Sequence, residues 1–175
     1  MLYEVMAKFG PSDEERWSDY IWWRGLHHLT RFDSVDSILR PSLFVPKTDQ
    51  DWQHCVSADF KIGLITDVSF ATSILSRYED AEIVGVELEV DQSQIPGLHC
   101  VGYDIIDGYC DVSLLTNWGT DEEGRLRCHQ SNGLLDDLGR ALAIRDTLRV
   151  KFSHDSHAKN CSVWAIYRIG TEQSD

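Results

Sequence analysis

The chain has 175 residues, 29 acidic against 16 basic side chains, a formal net charge of -13 and 42% hydrophobic residues. That length suits one domain with a single core, and the charge disfavours general nucleic-acid binding while attracting a basic protein partner. No apolar run approaches the ~20 residues that span a bilayer, and the opening MLYEVMAKFGPSDEER lacks the basic start and apolar stretch of a secretory signal, so a soluble, cytoplasmic protein without membrane contact is expected.

In chain order, Pro11, Ser12 as N-cap and the acidic run Asp13, Glu14, Glu15 predict a helix that ends near Ile21. The stretch WWRGLHHLT, residues 22–30, reads as a strand with Arg24, Leu26, His28 and Thr30 on one face and Trp23, Gly25, His27 and Leu29 on the other. Val35, Ile38 and Leu39 then lie at helical spacing before Pro41. Residues 43–45 form a short extended piece inside a Pro-containing polar loop.

The β-branched run IGLITD predicts a strand, and VSFATSILSRY a helix with Val68, Ala71, Ile74 and Leu75 on one side. EIVGVELEVD is the clearest strand, with Val84, Val86, Leu88 and Val90 facing one way and Glu87, Glu89 and Asp91 the other. Two further strands are expected around a turn at Asp107 and Gly108, followed by an exposed acidic loop, GTDEEGR. A helix capped by Ser131 or Asn132 carries Leu134, Leu138, Ala141, Leu142 and Arg145; an extended LRVKF and the apolar strand CSVWAIYRI close the order.

Strands outnumber helices, so the fold class is α+β, with a mostly antiparallel sheet and a few short helices. No G-x-G-x-x-G or P-loop pattern follows a strand. Cys55, Cys100, Cys110, Cys128 and Cys161 are scattered without a C-x-x-C pair, which fits reduced, packed thiols. FSHDSHAKNC gathers possible ligands but at no zinc spacing, so it reads as a polar loop and no metal site is expected. Trp22 and Trp23 are the tryptophans able to stack on a flat ring.

The motifs HLT, DSIL and SLFVP, then GLITDVSFATSIL and IVGVELEVDQSQIP, resemble the ADP-ribosyltransferase-like superfamily over roughly residues 24–96, in the branch of DNA-modifying toxins and tRNA 2′-phosphotransferases. The resemblance implies an ADP-ribosyltransferase-like domain that takes NAD as substrate and transfers ADP-ribose to a protein or small acceptor. It implies that His28 and Thr30 hold the adenosine-side ribose and that Arg24 meets the pyrophosphate; Trp23, from its own aromatic character, is added as a cofactor-binding ring face. The RG at Arg24 and Gly25, the ATS at 71–73 and the ELE at 87–89 match pieces of the arginine-type pattern, which gives Glu89 the catalytic carboxylate and Glu87 the orientation of the acceptor. Two carboxylates on one strand face suit that chemistry, because they can grip a hydroxyl and stabilise positive charge as nicotinamide leaves. The ATS sits on an expected helix, where the family places a strand, and alternation puts carboxylates at 87 and 89 whether that face is wet or lines a cleft.

A second reading of the same chain is a non-catalytic acidic immunity protein or inhibitor that blocks a basic toxin or nuclease. Its carboxylates would be those of residues 121–123 with Asp104, Asp107 and Asp111, and its apolar anchors Trp118 and Tyr109.

Overall fold

The computed structural model describes residues 1–58, 61–89, 98–109, 112–117 and 131–169. Six strands form one antiparallel sheet: β1 (Leu2–Ala7), β2 (Cys55–Ala58), β3 (Lys61–Ile65), β4 (Ala81–Leu88), β5 (Cys100–Ile106) and β6 (Ser162–Arg168), in the order β2-β3-β1-β4-β6-β5. Short helices surround it, which makes the fold α+β, as the pattern of alternating runs indicates.

Alternation along the central strands sorts the core into two layers. Ile83 of β4 and Val5 of β1 pack under helix α4 (Val68–Leu75), through its buried Ala71 and Ile74. On the same face Val163, Ala165 and Tyr167 of β6 pack under helix α6 (Leu138–Lys151), through Ala141, Ile144 and Leu148. The opposite parity, Val84, Val86, Trp164 and Ile166, meets Val35 and Leu134 from irregular segments. One face is thus roofed by helices and the other by loops.

Strand β4 is largely buried on both faces up to Glu87, so its carboxylate-bearing side is not a wet face. Helix α4 matches the predicted helix, and Asp67 caps it by accepting from the Ser69 N–H at 2.8 Å. Strands β3 and β6 also lie where β-branched and apolar runs predict them.

Several elements differ from expectation. The first helix is two short ones, α1 (Pro11–Arg16) and α2 (Ser18–Trp23), capped by Gly10 rather than Ser12. The strand expected over residues 22–30 does not form. Helix α2 instead runs through Trp22 and Trp23 and ends in a Schellman turn, where Leu26 N–H donates to the Ile21 carbonyl at 2.8 Å and Gly25 N–H to the Trp22 carbonyl at 3.0 Å. Gly25, at φ 66, supplies the left-handed residue this turn needs.

The helix expected around residues 35–39 is a single turn in which Asp36 accepts from the Ile38 and Leu39 N–H groups at 2.9 and 3.3 Å. Of the two strands expected around Asp107 and Gly108, only β5 forms among the described residues; on the far side of the turn there is a bridge between Ile106 and Ser113, followed by helix α5 (Leu114–Asn117). Helix α6 is capped by Asp137, leaves Leu134 outside, and absorbs the LRVKF segment up to Lys151. The expected polar loop after it contains helix α7 (Ser156–Lys159). The acidic loop at 119–125 lies outside the described residues.

Strand β5 forms one edge, and its register slips between Cys100 and Gly102. Past the slip, Tyr103 exchanges backbone hydrogen bonds of 2.8 and 2.9 Å with Leu135, which covers the exposed edge. Gly102, at φ 148, sits so close to this segment that an added Cβ would lie 2.7 Å from both the Leu134 Cβ and the Leu135 carbonyl. Gly102→Ala is expected to cost on the order of 1–3 kcal/mol through strain and collision, read as a lower urea midpoint at unchanged slope.

Candidate functional site

The six residues that sequence and resemblance single out meet different fates. Arg24 is 2% exposed at the end of α2, where its Nε donates to the Thr116 carbonyl at 2.9 Å and its guanidinium lies over the Trp23 ring. It acts as a buried tie between α2 and α5. His28 Nδ1 lies 3.0 Å from the Gly25 carbonyl and Thr30 Oγ1 donates weakly to the Ser131 carbonyl at 3.4 Å, both on the exposed turn after α2. With the strand gone, the row of Arg24, His28 and Thr30 on one face is gone too.

Glu87 Oε1 lies 2.7 Å from the Met1 amino group. Strand β4 stops at Leu88, and Glu89 adopts φ 50 and pairs with Arg145 of α6. The two glutamates therefore do not form a Glu-x-Glu pair on one strand face, because the chain turns between them.

What the structure does bring together is a network of buried polar groups on the loop-covered face. Asp104 of β5 is fully buried and accepts from Ser34 Oγ at 2.7 Å, the Val35 N–H at 3.1 Å, Ser113 Oγ at 2.5 Å and the Ile105 N–H at 2.8 Å. Asp36 accepts from Thr116 Oγ1 at 2.5 Å, so Arg24, Thr116 and Asp36 form a chain. Removal from water pushes the Asp36 carboxyl up to about 6, against the hydrogen bonds that hold it down, and burial raises Asp104 as well. Next to them Arg40, also buried, donates to the Ser34 carbonyl at 3.0 Å and the Ala7 carbonyl at 3.2 Å and pairs with Glu82.

Beside this network lies a polar cleft of about 450 Å³, lined by Arg31, Asp33, His99, Asn132, Asp136 and Arg168 together with the backbone of the β5 slip. Asp33 is its centre: it pairs with Arg31, and Arg168 Nη2 approaches its two carboxylate oxygens at 3.0 and 3.3 Å. Both arginines line the cleft with side chains 41% exposed, and each guanidinium carries more N–H donors than its contact with Asp33 uses. Asn132 is positioned by donating from its amide to the Val101 carbonyl at 3.0 Å. Cys100 also lines the cleft, but burial raises its pKa, so it is a thiol rather than a nucleophilic thiolate at neutral pH.

No family model, curated protein or solved structure matches this chain. The cleft thus stands on its own chemistry. Its residues come from positions 31–33, 99–102, 131–136 and 168; the sequence marks Ser131 or Asn132 as a helix cap and Cys100 as a packed thiol, but none of these residues as part of a site. The available signals were slight: Arg31 and Asp33 follow residues 22–30 directly, and Arg168 ends an otherwise apolar strand.

Other groups fall outside the cleft. Asp104 and Asp107 are buried rather than part of an acidic docking surface, Asp107 Oδ2 lying 2.6 Å from His157 Nδ1, while Asp111, Trp118 and residues 121–123 lie outside the described residues. Cys55, Cys100 and Cys161 are free thiols. Among the described residues no group of three or more His, Cys, Asp or Glu is placed to hold a metal ion, and no helix is long and apolar enough to cross a membrane.

The raised Asp36 pKa has a definite sign. The folded state holds this proton more tightly than the unfolded chain, so the group's contribution is fully present below pH 3.8 and is lost as pH rises through about 6. Asp36→Asn keeps an acceptor for Ile38 and Leu39 and removes the charge. Between pH 4 and pH 7 the stability of the variant is expected to rise relative to wild type by roughly 2 kcal/mol, measured by urea unfolding at each pH.

Proposed function

We propose that the protein binds a small molecule carrying both phosphate and hydroxyl groups, of the nucleotide or sugar-phosphate class, in the cleft centred on Asp33. The observation that carries this reading is the mixed lining: two half-exposed guanidiniums and His99 stand beside Asp33, Asp136 and Asn132 in one cavity of about 450 Å³. A guanidinium fork matches phosphate oxygens, while carboxylates and an amide oxygen accept from ribose hydroxyls. The volume falls within the range of small-molecule sites, about 300–1,000 Å³.

NAD, the substrate implied by the sequence resemblance, belongs to this class and is the first candidate. ADP-ribosyl transfer from it would need a carboxylate beside the ribose that carries nicotinamide, and the carboxylates lining this cleft are Asp33 and Asp136, in place of Glu89 and Glu87. Asp33 is held by its two arginines; Asp136 is exposed and unencumbered by any helix cap, a role that falls to Asp137.

Calorimetric titration of NAD, ADP-ribose and inorganic phosphate into wild type, Arg31→Ala and His99→Ala tests this directly, since both side chains are surface-accessible and their loss leaves the core intact. ADP-ribose is expected to bind saturably, and each substitution to weaken it about 10- to 100-fold, the loss of one charge-assisted contact. Absence of binding for all three ligands at millimolar concentration would overturn the reading. Release of nicotinamide from bound NAD, lost in Asp136→Asn with ADP-ribose binding retained, separates transfer from binding alone.

A further inference from the structure

Helices α1 and α2 carry a second surface that the cleft does not use. Trp22 and Trp23 are 75% and 60% exposed, far more than large aromatic residues usually are. Trp22 forms one wall of a groove of about 270 Å³ whose other apolar residues are Ile21, Leu26, Leu29 and Phe32, with Glu14, Ser18 and His27 at the rim. The groove is too small for most drug-sized ligands but suits an apolar side chain.

The two helices continue one another across Trp17, since Trp17 N–H donates to the Asp13 carbonyl and Ile21 N–H to the Trp17 carbonyl, each at 2.8 Å. Residues three and four apart therefore share a face, which sets Glu14 beside Ser18, and Glu15 and Asp19 in the row that leads to Trp22 and Trp23. Glu14, Glu15 and Asp19 are exposed, and Arg16 is the exposed cation among them; His27 and His28 stand on the following turn. An aromatic anchor point with a carboxylate rim is complementary to an apolar side chain flanked by cations. A second copy of this chain fits poorly, because each copy carries a net charge of -13 and would present the same carboxylates.

We infer that this groove is a docking surface for a basic segment of another protein, which inserts an apolar side chain beside Trp22 while its Lys or Arg residues meet Glu14, Glu15 and Asp19. The surface does not depend on ligand binding in the Asp33 cleft. It places the contact with a basic partner on α1 and α2, away from Asp104 and Asp107, whose burial removes them from any such role.

The test uses the full chain at physiological ionic strength and two short tryptophan-free peptides, one with lysines flanking a leucine and one with arginines flanking a phenylalanine. Binding is followed by calorimetry and by the blue shift of tryptophan fluorescence as an indole leaves water. At least one peptide is expected to bind saturably, at least tenfold more weakly to Trp22→Ala and to the triple variant Glu14→Gln, Glu15→Gln, Asp19→Asn. Affinity should be unchanged for Asp49→Asn with Asp146→Asn, which removes two exposed carboxylates from helices α3 (Asp49–Trp52) and α6. Equal weakening by that control pair would reduce the effect to the general field of an acidic protein and overturn the inference. So would full affinity in Trp22→Ala, failure of both peptides to bind, or concentration-dependent dimerisation abolished by Trp22→Ala. Circular dichroism of each variant confirms folding; all substituted side chains are at the surface.

Discussion

Taking the Asp104 carboxylate out of water is the constraint around which the loop-covered face is organised. An ionised carboxylate without partners in an apolar interior is far too costly to keep, so the chain must bring donors to it. Those donors come from Ser34 and Val35 on one side and Ser113 on the other, which fixes two irregular segments against β5. Asp36 repeats the device through Thr116, whose carbonyl in turn receives Arg24. Together with Val35 in the core, Arg40 on the Ala7 carbonyl and Glu82, and the Asp33 N–H on the Asn132 carbonyl, these bonds position a 31–40 segment that has no more than one turn of helix. Such networks are high-stakes: fully satisfied, they specify one arrangement, and their partial loss leaves a buried charge unmatched.

The consequence is a molecule with unlike faces. Helices α4 and α6 close one side of the sheet with a layer of apolar side chains, to which α6 adds Arg145 on Glu89 and Arg149 on the Cys161 carbonyl, while the other side mixes Val84, Val86, Trp164 and Ile166 with Glu82, Arg40, Asp33 and Arg168. Where the pinned loop and the slipped edge of β5 part, they leave the polar cleft. In a chain with an excess of 13 negative charges, it is a place where two half-exposed guanidiniums stand beside Asp33 and Asp136.

One short stretch of backbone separates the cleft from the tryptophan-walled groove. The backbone of residues 30–33 runs alongside 131 and 132, with Thr30 N–H and Asp33 N–H donating to the Ser131 and Asn132 carbonyls at 2.8 and 2.9 Å. Arg31 and Asp33 point into the cleft, whereas Phe32 between them lines the groove. Alternating side chains of a non-helical segment thus serve two surfaces of opposite character. The apolar residue anchors the wall and its polar neighbours furnish the site.

Local pattern carried much of the secondary structure. The runs that became β3, α4, β4 and β6 have periods of two or 3.6 that the chain could satisfy within a few residues, and their mutual packing agrees with that preference. Composition and the count of strands likewise pointed to an α+β class. Residues 22–30 failed because aromatic and polar residues there alternate like a strand, while Gly25 closes a helix whose bonds lie mostly upstream. That Glu87 and Glu89 do not share one strand face has a related reason: alternation predicts which side a residue takes, but not whether that side is wet, buried or the last before a turn. The cleft was decided only by tertiary structure, because its residues span positions 31 to 168 and meet through strand order, the slip at Gly102 and the donors gathered around Asp104. A sequence records each residue's preference for water or its period along the chain; which distant residues share a cavity depends on how six strands are ordered, and that order is set by the packing of the whole.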